Sequence, residues 1–135
     1  MKKKGAVSEF GSKRDAELWQ AFRRAIAASG VVSTDMLYEM AAHSPTSRFW
    51  VSERRASEVM GMIIRGISIS YMSRLRQEMF REIFNRFIDY RSHHPESTIY
   101  EATFHAVNTP APKFYLTPKT VKVILCRFRR NKSGK

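Results

Sequence analysis

Residues 70–91, SYMSRLRQEMFREIFNRFIDYR, are predicted to form one long helix on which the rest of the fold depends. Placed at about 100° per residue, its apolar side chains span roughly 220° of the circumference, whereas a surface helix usually buries a stripe of about 100°. A helix that is apolar over so much of its surface needs cover on two sides. We therefore expect other helices to pack on it from both sides.

Two similar nine-residue segments flank this helix and predict an internal repeat. SPTSRFWVS, residues 44–52, returns as TPAPKFYLT, residues 109–117, with seven of nine positions identical or chemically alike. Each segment lies between two helical patterns, so the repeated unit is helix–extended–helix. We expect the two units, 34–65 and 98–130, to pack around the central helix with pseudo-two-fold symmetry. A further hypothesis is that residues 49–51 and 114–116 pair as a tiny two-stranded ribbon.

Local signals complete the prediction of an all-α fold with about six helices. Ser52, Thr98 and Thr117 each precede a helical pattern and are suitable N-caps. Thr98 is followed three residues later by Glu101, which is a capping-box pattern, and Pro118 suits a first helical position. The predicted organisation is a flexible basic arm at 1–14, one helical domain at 15–130 and a basic tail at 131–135.

The net charge is unusual, since 24 Lys and Arg residues stand against 12 Asp and Glu residues, giving +12. Residues 1–14 carry +4 and residues 127–135 carry +5, which leaves only +3 for the 112 residues between them. A chain this basic is expected to attract polyanions such as nucleic acid, an anionic membrane or an acidic protein.

The strongest candidate for such a contact is the last predicted helix. From Ala102 to Lys135 the chain has eight basic residues and no acidic residue. Uncompensated positive potential of this kind suits a phosphate backbone. An anionic membrane, an acidic protein and a plain contribution to solubility remain alternatives. The candidate phosphate contacts, which cluster opposite the apolar stripe or follow in the tail, are Lys119, Lys122, Arg127, Arg129, Arg130 and Lys132.

The repeated segments add a second, weaker candidate. Strand-like alternation would place Arg48 and Trp50 on one side of the first segment, and Lys113 and Tyr115 on one side of the second. A cation beside an aromatic ring can contact a phosphate and stack on a base. The alternative is that Trp50 and Tyr115 pack in the core or at its rim while the cations extend to solvent.

The repeat also permits a helix-turn-helix interpretation with the last helix as recognition helix, but the fit is imperfect. About nine residues separate the last two predicted helices, where that motif has a turn of about 3–4 residues. Basic residues alone do not identify a base sequence, so binding without sequence specificity, or directed by shape, is the safer prediction.

The sequence favours no enzyme, metal or cofactor. His93 and His94 are adjacent and point apart, His43 and His105 are isolated, and no paired carboxylates suit a metal. The single cysteine, Cys126, excludes an internal disulfide, and no apolar run is long enough to span a membrane. We expect a cytoplasmic protein.

The segment 110–117, PAPKFYLT, together with His94-Pro95-Glu96, resembles short basic proteins encoded in genomes and mobile elements of Bacteroidota-type bacteria. The resemblance covers about residues 37–130, implies a bacterial or phage protein of the cytoplasm, and transfers no functional residues. The sequence therefore predicts a small nucleic-acid-binding protein, with DNA favoured over RNA. The alternative is a non-catalytic protein-interaction subunit of a larger nucleoprotein assembly, with a protein partner or a second copy of the chain.

Overall fold

The computed structural model describes the backbone of residues 3–30 and 33–133, and the side chains of residues 11–28 and 33–131. Within this part of the chain there are six α-helices and no strand, so the all-α prediction is confirmed. The helices are α1 (Lys3–Ser29), α2 (Thr34–Ala42), α3 (Glu53–Ile64), α4 (Arg74–His93), α5 (Ile99–Val107) and α6 (Pro118–Ser133).

The predicted caps account for where α3, α5 and α6 begin. The Ser52 hydroxyl accepts a hydrogen bond from the Arg55 amide, and Thr98 forms the expected capping box with Glu101. Each cap satisfies an amide at the start of the helix that has no partner within the helix. These boundaries follow from local chemistry, which explains why the sequence predicts them.

The amino-terminal boundary of α1 was predicted wrongly. The helix begins at Lys3 instead of Asp15, so the segment predicted as a flexible basic arm is helical from Lys3 onward. Residues 3–14 contain no proline, and their alanine, lysine, glutamate and arginine residues favour helix. The helix was predicted to begin where the apolar pattern begins, at residue 15. A helix can, however, begin several turns before its apolar stripe does. Likewise α6 extends beyond Arg130 to Ser133, into the predicted tail.

The helices belong to two compact units. The terminal unit comprises residues 1–46 and 112–135, and the middle unit comprises residues 47–111. In the terminal unit α1, α2 and α6 pack on one another, and in the middle unit α4 packs on α5 and α3, which also pack together. Each unit thus combines the first helix of one repeat with the second helix of the other.

This packing changes the predicted role of the long helix. The helix α4 covers one helix from each repeat, namely α3 and α5, while α1 packs against the remaining two, α2 and α6. The middle-unit core contains Phe80, Ile83 and Phe87 of α4 together with Val59 and Met60 of α3, all of them fully buried. The expected central helix is therefore central to the middle unit, and the terminal unit has a core of its own.

The terminal-unit core contains buried residues of α1, α2 and α6, and aromatic rings of α1 and α6 pack at its rim. Leu18 of α1 and Val121 of α6 are fully buried. The ring centroids of Trp19 and Phe128 lie 5.7 Å apart, which joins α1 to α6. Contacts between large rings add stabilisation beyond the area that they bury, so this pair fixes which face of α6 points inward.

The repeated segments do not form the predicted ribbon. Residues 49–51 and 114–116 are not strands; instead Phe49 donates its backbone N–H to the Val107 carbonyl oxygen at 3.0 Å. Phe114 donates in the same way to Ala42 at 2.9 Å. The last carbonyl groups of a helix lack partners within the helix. Each segment therefore uses its amide to satisfy a helix end, which leaves that amide unable to join a strand ladder.

Candidate nucleic-acid interface

The outward face of α6 is set by the way this helix begins and packs. The Thr117 hydroxyl accepts the Thr120 amide at 3.2 Å, and Pro118 occupies the first helical position, as predicted. Val121, Ile124 and Leu125 are buried at three- and four-residue spacing. Residues on the other side of the helix are consequently presented to solvent.

The basic residues predicted on this helix share that outward side. All five whose side chains the structure describes are exposed, namely Lys119, Lys122, Arg127, Arg129 and Arg130. The side chain of Lys132 lies outside the described residues. At about 1.5 Å per residue the stretch from Lys119 to Arg130 extends over about 16 Å. A single helix face therefore presents five cations within the length of one duplex half-turn.

Acidic side chains neutralise little of the charge of Lys119, Lys122, Arg127 and Arg130. Arg127 makes a single ion pair, in which its Nη2 atom lies 4.0 Å from Oδ2 of Asp15, and about half of its side chain is exposed. The same carboxylate is closer to Arg14, at 2.9 Å. Within the part of the chain that the structure describes, Lys119, Lys122 and Arg130 have no ion pair. Lys119, Lys122 and Arg130 thus keep their positive potential, and the long, exposed ion pair of Arg127 compensates little of its charge.

The two units differ in net charge. The terminal unit contains 15 of the Lys and Arg residues and five of the Asp and Glu residues, a net charge of +10. The middle unit contains nine Lys and Arg residues and seven Asp and Glu residues, a net charge of +2. The unit that contains α6 therefore accounts for most of the charge of the chain.

Lys113 and Tyr115 lie in the same unit, immediately before α6. The Lys113 ammonium is 5.4 Å from the centroid of the Tyr115 ring, and both side chains are half-buried. Tyr115 has φ 59°, in the left-handed region that non-glycine residues seldom adopt. The hydrogen bond from Phe114 to Ala42 holds the adjacent backbone. The pairing of cation and ring that the sequence suggested is thus present next to α6.

Arg48 and Trp50 belong to the middle unit, and there the geometry supports the packing alternative. Arg48 donates from Nε to the Phe49 carbonyl at 2.9 Å and from Nη2 to the Val51 carbonyl at 2.8 Å. Its Nη1 atom is 3.5 Å from Glu53, and its guanidinium is 5.4 Å from the Trp50 ring centroid. Burial lowers the pKa of Arg48, and the Glu53 carboxylate opposes that shift. A guanidinium whose nitrogen atoms already have these partners is poorly suited to bind a phosphate.

Two residues of the outward face were missed by the sequence reasoning. Val123 is 54% exposed, and Cys126 is exposed as well. Both lie among the cations of α6 on the side opposite the buried stripe. Helical spacing places both residues opposite the buried stripe and could have identified them. They were left out because the candidate contacts were chosen by charge.

The helix-turn-helix interpretation of α5 and α6 is not supported by the packing. α5 packs within the middle unit, whereas α6 packs on α1 and α2. The 10 residues from Asn108 to Thr117 that join α5 to α6 are also more than the short turn of that motif. Any binding by α6 must therefore use a different supporting arrangement.

A histidine cluster that the sequence did not predict lies in the middle unit. The Tyr90 ring stacks with the His94 ring at 4.2 Å and with the His105 ring at 4.3 Å. Nδ1 of His94 lies 3.1 Å from the Tyr90 carbonyl oxygen. Among the described residues no three His, Cys, Asp or Glu side chains are placed to hold a metal ion. The contacts of His94 and His105 that the structure shows are ring stacking on Tyr90 near the ends of α4 and α5.

Among the helices in the described ranges, none is long and apolar enough to cross a membrane. No protein-family model matches the chain, and neither the curated proteins nor the solved structures contain a match to it.

Proposed function

We propose that this chain is a small, non-enzymatic nucleic-acid-binding protein that binds DNA in preference to RNA through the outward face of α6. The proposal is supported by the five exposed cations on this face, of which Lys119, Lys122 and Arg130 have no ion pair within the described residues. Displacement of counterions from a phosphate backbone gives such a face a large, salt-dependent binding free energy.

The charge of the whole terminal unit adds to this local effect. A net charge of +10 on one unit produces an attractive potential for polyanions before contact. The α6 cations then make the close contacts, with Lys113 and Tyr115 next to the start of the helix. Arg48 and Trp50 are assigned to packing in the middle unit and take no part in the proposed interface.

The test is a salt titration of binding with three probes: a 20-base-pair DNA duplex, one of its single strands and a hairpin RNA. If the α6 cations neutralise about four or five phosphates, log K for the duplex falls with log salt at a slope of about −3.6 to −4.5, at roughly −0.9 per phosphate. The proposal further expects the duplex to be bound more tightly than the RNA at each salt concentration. Absence of binding at low salt would refute it.

A protein-interaction subunit of a larger nucleoprotein or mobile-element assembly is a second candidate, and one feature of the middle unit favours it. Tyr100 and Phe104 lie one turn apart on α5, with ring centroids 6.3 Å apart, and each is about half exposed. They border a groove of about 570 Å³ that Tyr90, His105 and Asn108 also line. Exposed aromatic rings at helical spacing are typical anchors of protein interfaces.

A double variant separates the candidates. Tyr100→Ser with Phe104→Ser removes the anchors and leaves the charge of the chain unchanged. The nucleic-acid proposal expects this double variant to bind duplex DNA with the wild-type affinity and salt slope. If DNA binding were weak and independent of salt, the interaction-subunit function would be favoured.

A further inference from the structure

The outward face of α6 has an organised centre and two edges. At about 100° per residue, Val123 and Cys126 lie near the middle of the exposed arc. Lys122 and Arg129 lie on one edge of the arc and Arg127 on the other. Lys119 and Arg130 lie on the same central line, one toward each end of the helix. Long cationic side chains therefore surround the two short side chains of Val123 and Cys126.

This arrangement fits a groove better than a flat polyanionic surface. Short side chains at the centre allow the helix axis to approach the floor of a groove, while long cationic side chains at the edges reach the walls. The B-DNA major groove, about 12 Å wide, accommodates a helix of about 10–12 Å diameter and has a row of phosphates on each side.

Other nucleic-acid forms fit the same face less well. The major groove of A-form RNA is deep and narrow, so that helix side chains cannot read it. Single strands are bound mainly by exposed aromatic rings on which bases stack. The outward face of α6 has no aromatic residue, because Phe128 is directed toward Trp19 at 5.7 Å. The duplex is the remaining form whose shape matches both the centre and the edges.

We infer that α6 enters the major groove of duplex DNA, with Val123 and Cys126 facing the base edges. Lys122, Arg129 and Arg127 contact phosphates on the two sides, and Lys119 and Arg130 contact phosphates toward the two ends of the face. This inference rests on the proposed function and specifies its ligand. An apolar side chain at the floor of the groove contacts the 5-methyl group of thymine favourably. The exposed Val123 thus acquires a role that charge alone does not give it.

Cys126 provides the test, because it is the single cysteine of the chain and is exposed at the centre of this face. Two DNA duplexes of the same sequence carry an activated disulfide tether of equal length. In one duplex the tether replaces the 5-methyl group of a thymine, in the major groove. In the other it is attached at N2 of a guanine, in the minor groove. Attack by the Cys126 thiolate forms a mixed disulfide with the DNA and releases the activating thiol.

We expect at least tenfold faster cross-linking from the major-groove tether, measured by denaturing gel electrophoresis at a salt concentration where both duplexes are bound. The matched control is Cys126→Ser combined with Met36→Cys, which moves the thiol to an exposed position on α2 of the same unit. For this control we expect slow cross-linking from either tether.

The outcomes distinguish the inference from the proposed function. Equal or faster cross-linking from the minor-groove tether, or none from either tether while salt-dependent binding persists, would overturn the major-groove inference and leave the proposed function standing. Loss of salt-dependent duplex binding itself would overturn both.

Discussion

Phe114 donates its backbone N–H to the carbonyl oxygen of Ala42 at 2.9 Å, and this bond joins the second repeated segment to the helix that precedes the first. Phe49 and Val107 make the equivalent bond at 3.0 Å, with the roles of the repeats exchanged. In both cases the acceptor lies two residues before the repeated segment begins. The repeats thus exchange helices, as in a domain swap within one chain, and each unit depends on both.

The buried side chains of Phe49 and Phe114 should be essential for stability. Phe49 and Phe114 are buried, and we expect either Phe49→Ala or Phe114→Ala to lower the free energy of unfolding by about 3–5 kcal/mol, because each leaves a cavity in a core. The measurement is urea unfolding followed by circular dichroism. Phe104→Ala removes a half-exposed ring and should cost much less. Equal losses for all three variants would contradict the assignment of the repeated segments to the cores.

The capping box of α5 gives a second, local prediction. Thr98→Ala removes the hydroxyl that accepts the Glu101 amide at 3.0 Å, and should lower the free energy of unfolding by about 1 kcal/mol. Thr34→Ala, at the exposed first residue of α2, serves as control because Ser33 provides the cap there. A smaller loss at Thr98 than at Thr34 would show that the cap contributes little to the stability of α5.

Arg48 should contribute to stability and not to DNA binding. Arg48→Ala leaves the carbonyl groups of Phe49 and Val51 without this donor, which we expect to lower the free energy of unfolding by about 1–3 kcal/mol. The salt slope of DNA binding should remain that of the wild type. Arg54→Ala is the control, because the Arg54 side chain is 84% exposed and its substitution removes the same charge. A stable Arg48→Ala variant with a smaller slope would instead assign Arg48 to the interface.

The sequence was sufficient to predict those parts of the fold that local chemistry decides. Ser52, Thr98 and Thr117 define helix starts through bonds that span three residues, so a short window of sequence contains the whole signal. The pairing of α2 with α6 and of α3 with α5 depends on contacts between distant residues. The repeat indicated that four helices are related, but not which of them pack together.

The candidate site was predictable to a similar extent. Helical spacing placed the cations of α6 opposite its apolar stripe, and the structure shows five of them exposed. The alternation of cation and ring around Arg48 is compatible with two positions of its side chain. The guanidinium could face solvent and bind a ligand, or it could form hydrogen bonds within the protein. What distinguishes the two is the direction of the guanidinium, which bonds to the carbonyl groups of its own segment. That direction follows from the local backbone path, which the sequence pattern does not specify.

We propose that the cations of α6 make the phosphate contacts. The most direct measurement is the salt slope of duplex binding for the triple variant Lys119→Gln, Lys122→Gln and Arg130→Gln. Its control is the triple variant Arg54→Gln, Arg74→Gln and Arg81→Gln, which removes equal charge from exposed positions of the middle unit. We predict that the α6 variant loses about 2.7 units of slope, at roughly 0.9 per phosphate, while the control retains the wild-type slope. Equal slopes for the two variants would contradict the account.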